Sequence, residues 1–215
     1  LTSITVDHNN TKYDSRDNCN AIIETESNEL LIGCKNTIIP SSVTIIEDMA
    51  FMDCEGLISI TIPDSVTEIR YMAFFGCSSL TSITVDPNNT TYDSRDNCNA
   101  IIETESNTLI IGCKNTIIPD SVTSIYDMAF SGCTGLTSIT FPANIIDLPE
   151  FEGCINLSSI TILSPKPVKM LSYDQTFNYI AKNYIVYVPA ELVNIYKIKT
   201  PTWCMIADHI QAITE

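Results

Sequence analysis

The sequence predicts a repeat solenoid, with parallel β-strands on one face and short helical turns or irregular segments opposite. Three observations point there. The stretch Leu1–Pro40 returns with few changes as Leu80–Pro119, 79 positions later. Shorter units run inside that duplication, so that Pro40 and Pro63, Phe51 and Phe74, Cys54 and Cys77, and Pro119 and Pro142 all stand 23 residues apart. A strand motif of the form L-x-x-I-x-[IVF] recurs at Leu1/Ile4/Val6, Leu57/Ile60/Ile62, Leu80/Ile83/Val85, Leu136/Ile139/Phe141 and Leu157/Ile160/Ile162. A unit this short cannot bury its apolar face alone, so neighbours must bury it for each other.

Each element follows from its residues. Alternation in the strand motif puts one face inward. The outward partners are small and polar: Ser3 and Thr5, Ser59 and Thr61, Ser82 and Thr84, Ser138 and Thr140, Ser159 and Thr161. A proline turn follows, then a V-T-x-I segment at Val43–Ile46, Val66–Ile69 and Val122–Ile125, read as a second short extended stretch. A Met-Ala-Phe turn comes next, at Met49, Met72 and Met128, where Ala admits close backbone approach and Phe fills the interior. Two units are longer, from Val6 to Ile39 and from Val85 to Ile118. Their extra residues carry two apolar stretches around an E-S-N turn and are read as inserted β-hairpins. The D-S-R-D-N runs before them are dense in turn formers.

The domain reading is a solenoid over 1–165, containing the duplication of 1–62 and 80–141, continued by a C-terminal cap over 166–215. Tyr184–Val188 reads as a last strand and Pro189 as the start of a short helix. Trp203, Ile206 and Ile210 should close the end. The aromatics gathered there (Tyr173, Phe177, Tyr179, Tyr184, Tyr187, Tyr196, Trp203) read as cap packing.

Composition narrows the function. The chain has 215 residues, is 45% hydrophobic and carries a formal net charge of −15. Such an acidic chain repels phosphate backbones, so no nucleic-acid partner is expected. No segment reaches the roughly 18–20 apolar residues of a membrane span. The chain opens in mid-repeat without Met, which reads as a trimmed or processed piece. No nucleophile elbow, zinc-protease helix, P-loop or dinucleotide fingerprint is present, so no enzyme, cofactor or metal site is expected. The nine cysteines include no C-x-x-C. Cys54, Cys77, Cys133 and Cys154 occupy equivalent places and read as buried free thiols. Cys19 with Cys34, and Cys98 with Cys113, bracket the two inserts and become cross-strand neighbours if the turn centres between Glu26 and Ser27. Either disulfides or reduced thiols fit there. Asp14, Asp17, Asp93 and Asp96 read as turn-forming carboxylates beside Arg16 and Arg95, not as a calcium loop.

The unit I-P-x-S-V-T-x-I-x-x-x-A-F-x-G-C-x-x-L-x-x-I-x-I, cleanest at Ile62–Val85, resembles the BspA-like leucine-rich repeat family. The ending from Tyr187 to Ile213 is similar to endings common in that family. The resemblance implies a secreted or cell-surface protein of gut or oral anaerobic bacteria, with adhesion to host matrix proteins or other bacteria. The expected partner is a host matrix protein or another bacterial surface protein, or glycan. For an anaerobe's protein it favours reduced thiols. The short unit ending at Cys154 departs from the pattern and lacks Met-Ala-Phe. The expected binding residues are the outward strand positions Thr5, Ser59, Thr61, Ser82, Thr84, Ser138, Thr140, Ser159 and Thr161. They should form parallel ladders that supply many weak hydrogen-bond sites to a long partner. Ser and Thr also suit exposed strands for reasons of conformation alone. The alternative function is a structural spacer that holds other domains away from a cell envelope.

Overall fold

The computed structural model describes residues 1–170, 176–177 and 179–214. Tyr173, one of the aromatics assigned to the chain end, lies outside them. The architecture is strand-rich, with mostly parallel pairing and few helices. Strands β1 (Tyr13–Asp14), β2 (Ile22–Glu24) and β3 (Glu29–Ile32) pair antiparallel, and β3 continues in parallel to β4 (Ile45–Ile46) and β6 (Glu68–Ile69). The duplicate repeats this with β8 (Tyr92–Asp93), β9 (Ile101–Glu103), β10 (Thr108–Ile111) and β11 (Ser124–Ile125). The inserts therefore join the V-T-x-I strands and do not extend the Ser/Thr strands.

The Ser/Thr strands form two separate parallel sheets. One holds β5 (Ser59–Ile62) and β7 (Ser82–Val85). The other holds β12 (Ser138–Phe141), β13 (Ser159–Ile162), β14 (Ile185–Val188) and β15 (Ile210–Ala212). The period of two holds along them, since Ile60, Ile62, Ile83, Val85, Ile139, Phe141, Ile160 and Ile162 are all buried. Leu1–Val6 departs from the expectation. No strand forms there, and Leu1 is 81% exposed. Its counterpart β7 is held by β5, 23 residues earlier.

The Met-Ala-Phe segments are hydrogen-bonded turns stacked on one another. Met49, Phe51 and Asp53 donate their amides to the carbonyls of Tyr71, Ala73 and Phe75 at 2.8–3.0 Å. Phe51 stacks on Phe74 with centroids 4.9 Å apart. Close approach explains two glycines. A Cβ at Gly132 (φ +76°) would stand 2.6 Å from the Gly76 backbone, and one at Gly112 would stand 2.2 Å from the Phe130 ring. At the chain end, Tyr196 and Trp203 are buried and meet edge to face at 4.7 Å. The Trp203 indole N–H donates to the Val168 carbonyl at 3.0 Å. The buried apolar residues fall into two clusters, one centred on the first copy and one running from the second copy to Ile210.

Candidate functional site

The outward strand positions come together in pairs. Ser59 stands opposite Ser82 and Thr61 opposite Thr84, and the two threonine hydroxyls are hydrogen-bonded at 2.9 Å. Ser138 stands opposite Ser159 and Thr140 opposite Thr161. Ser59, Thr61, Thr84, Ser138 and Thr140 are exposed, while Ser82, Ser159 and Thr161 are half-buried. Thr5 is exposed but belongs to no strand and joins neither group. The ladder is thus two short ladders, because β7 and β12 lie in different sheets with the second insert between them.

Sequence reasoning missed the apolar members of this face. The spacing of 23 residues puts Ile38 in line with Thr61 and Ile117 in line with Thr140. Both isoleucines are strongly exposed, at 75% and 74%. Ile117, Asp120, Ser138, Thr140, Pro142 and Leu163 line a cleft of about 290 Å³. At the other end of the second ladder, Tyr187 of β14 stands opposite Thr161, and Gln211 of β15 opposite Tyr187. One row therefore runs from Thr140 through Thr161 and Tyr187 to Gln211. The T-I-I-P motif, aligned on its proline with I-T-I-P, was the available signal for Ile38 and Ile117.

The charged loops are self-contained. Arg16 grips Asp14 with two parallel bonds, Nε to Oδ1 at 2.8 Å and Nη2 to Oδ2 at 2.6 Å, and its Nη1 reaches Asn28 Oδ1 at 2.6 Å. Arg95 makes the same contacts with Asp93 and Asn107. The Arg16 guanidinium holds the Asp14 carboxyl down at about 2. Asp17 and Asp96 sit at φ 58° and 57°, a region Asx residues tolerate, and are not brought onto the same site. Among the described residues no group of three or more His, Cys, Asp or Glu side chains could hold a metal ion.

All nine cysteines are free. Cys77, Cys133 and Cys154 are buried and Cys54 is half-buried. The Cys77 thiol donates to the Phe51 carbonyl at 3.2 Å and Cys154 to the Phe130 carbonyl at 3.0 Å. Burial pushes both thiols up to about 12. The Ile23–Leu30 pairing centres the insert's turn between Glu26 and Ser27, but the register then shifts, pairing Ile22 with Ile32. Cys19 and Cys34 fall outside the strands, and their thiols point at different carbonyls, Ala21 and Asn20.

No helix among the described residues is long and apolar enough to cross a membrane. Three solved structures are similar to this chain. A leucine-rich cell-surface protein of Faecalibacterium prausnitzii A2-165 is 27% identical, with a TM-score of 0.46 over 82% of this chain and 53% of its own. A leucine-rich repeat protein of Eubacterium ventriosum is 20% identical, with a TM-score of 0.46 over 70% and 46%. The pneumococcal vaccine antigen PcpA is 18% identical and shares the fold, with a TM-score of 0.51 over 100% of this chain and 50% of its own. The chain spans about half the length of these three. No curated protein matches it. A family profile described as the BspA type leucine-rich repeat region, in six copies, matches residues 22–107 and 108–199. The protein belongs to the BspA-type leucine-rich repeat family.

Proposed function

We propose that the protein is a non-enzymatic binding module of the bacterial surface or the secreted fraction. It is adhesin-like and engages a host matrix protein or another bacterial surface protein through its Ser/Thr strands. In this reading residues 1–165 form one solenoid with two β-hairpins in its wall, and residues 166–215 cap it. The observation that carries the proposal is the composition of the face. Hydroxyl ladders at Ser59, Thr61, Ser82 and Thr84, and at Ser138, Thr140, Ser159 and Thr161, are flanked by the exposed Ile38 and Ile117 and the half-buried Tyr187. Exposed strands alone require no such apolar stations. An extended partner segment would lay backbone groups on the hydroxyls and an apolar side chain in the cleft beside Ile117. Affinity would accumulate over several weak contacts. The charge of −15 favours a basic partner and makes association weaken with salt. Tyr187 supplies the one aromatic face in the row that a glycan would need, so protein remains the favoured class. Thr5, outside both ladders, contributes least.

The test is the triple substitution Thr61→Lys, Thr84→Lys and Thr140→Lys, assayed against an array of matrix proteins and glycans. These side chains are exposed, so the fold should survive. A basic partner of the native protein should lose at least about tenfold in affinity. Undiminished binding would move the site to the Cys19–Cys34 and Cys98–Cys113 segments. A native protein that binds nothing on the array would support the spacer instead.

A further inference from the structure

The Met-Ala-Phe turns hold a second candidate site, independent of the Ser/Thr strands. In the first copy the turns stack in direct contact. Between the copies the stack is interrupted where the second insert joins it, with Gly112, like Gly33 of the first insert, at the place where the Met-Ala-Phe rungs carry phenylalanine. The Gly112 amide takes the Ala129 carbonyl at 2.8 Å, and the Phe130 ring fills the space over Gly112. The carbonyl that would receive the Phe74 amide, as Ala73 receives Phe51, is thereby used. The nearest tie between the two turns is the Gly76 amide to the Ser131 carbonyl, at 3.5 Å. What is left is a cavity of about 260 Å³ walled by Met72, Phe74, Phe75, Tyr126, Met128 and Ser131.

Two features mark it as more than a packing fault. Ser131 lines the cavity and is only 5% exposed, and its hydroxyl, enclosed from open space, has no hydrogen-bond partner among the described residues. A buried hydroxyl without a partner is costly, and native structures seldom keep one without a reason. The opening is flanked by Tyr71 and Tyr126, 46% and 47% exposed, so a ligand has an aromatic entrance. The charge on the wall excludes an ion. Arg70 is already held by Glu47 and Glu68, and Glu103 accepts a hydrogen bond from Ser106.

We propose that this cavity binds a small neutral aromatic molecule bearing one hydrogen-bonding group, the unpartnered Ser131 hydroxyl turning about its Cα–Cβ bond to meet that group. A cavity of about 150 Å³ lined by apolar side chains takes benzene, so this one suits a fused two-ring compound of about ten non-hydrogen atoms. Methionine and phenylalanine supply an adaptable apolar wall, and the single hydroxyl fixes the orientation.

The experiment uses 2-naphthol and the intact chain, with methyl-labelled methionine read by NMR and affinity by calorimetry. The methyl signals of Met72 and Met128 should shift on saturation while those of Met205 and Met170 stay. Ser131→Ala should weaken 2-naphthol about five- to tenfold and leave naphthalene, which lacks the hydroxyl, unchanged. Ser131→Leu should fill the cavity and abolish binding. If that variant does not fold, the 2-naphthol against naphthalene comparison stands without it. No binding at millimolar 2-naphthol, shifts confined to other methionines, or equal losses for both compounds in Ser131→Ala would each overturn the proposal.

Discussion

Single residues carry the sharpest expectations. Asp14 loses its proton more readily in the folded state because Arg16 hydrogen-bonds the carboxylate. Its folded value of about 2 lies below the unfolded value near 3.9. The pair therefore stabilises fully above about pH 4, and that stabilisation is lost as pH falls toward 2. Arg16→Met should return Asp14 toward about 4 in a carboxyl-carbon NMR titration. An Asp14 that still titrates near 2 would assign the shift to another group. Thiol reactivity is set by burial in the same way. Cys204 is exposed, whereas Cys77 and Cys154 are buried with thiols pushed up to about 12. Under native conditions at pH 8 a disulfide reagent should modify Cys204 first, and Cys204→Ser should remove the fast phase. Rapid modification of Cys77 would show that the stack opens. Gly132→Ala tests the close approach of the turns. It puts a Cβ at positive φ against the Gly76 backbone, and should cost at least about 2 kcal/mol in denaturant titration.

Elements show which parts of the structure could be seen in the residues beforehand. The strands β5, β7, β12 and β13 were legible because alternation of two is unambiguous when isoleucine and serine or threonine take turns. Trp203, Ile206 and Ile210 were legible as buried end residues, each being 1% exposed. Strands β1 and β8 were not, since two residues within a turn-rich run carry no period. The break in the hydroxyl ladder was hidden because it depends on which sheet the insert joins. The cavity was hidden because it depends on Phe130 lying over Gly112, a contact between residues 18 apart. The Met-Ala-Phe element itself gives a direct test. Phe74 is 7% exposed and stacks on Phe51 with an interplanar angle of 5°. Phe74→Ala should cost roughly 3–5 kcal/mol, measured by chemical denaturation. A loss below about 1 kcal/mol would mean that the ring is not part of the core.

At the scale of the whole molecule, the proposed single array has one weak coupling. Stability in a stacked repeat is a sum of unit terms and nearest-neighbour terms. Between the copies the neighbour term is both apolar and polar: β5 pairs with β7 over the buried Ile60, Ile62, Ile83 and Val85, and polar ties add to it. Asn89 Nδ2 donates to the Pro63 and Val66 carbonyls at 2.7 and 2.9 Å, and the Ile69 amide donates to the Tyr92 hydroxyl at 3.2 Å. Each such bond contributes only about 1 kcal/mol net. The break in apolar contact falls further on, inside the second copy: Leu80, Ile83, Val85, Tyr92, Ile101 and Cys113 belong with the first cluster, and the cavity stands between Phe74 and Cys77 of that cluster and Ala129 and Cys133 of the next. The clusters are unequal. The second holds more buried residues and ends in Tyr196, Trp203 and Phe177 packed ring against ring. The first cluster should therefore unfold at lower denaturant than the second. The single tryptophan makes this measurable, since Trp203 belongs to the second cluster alone. Its fluorescence should report a higher guanidinium midpoint than far-ultraviolet circular dichroism, which averages both. Saturating the cavity with a ligand should draw the two midpoints together, because it restores the missing contact. Coincident midpoints without ligand would mean that both clusters unfold as one cooperative body.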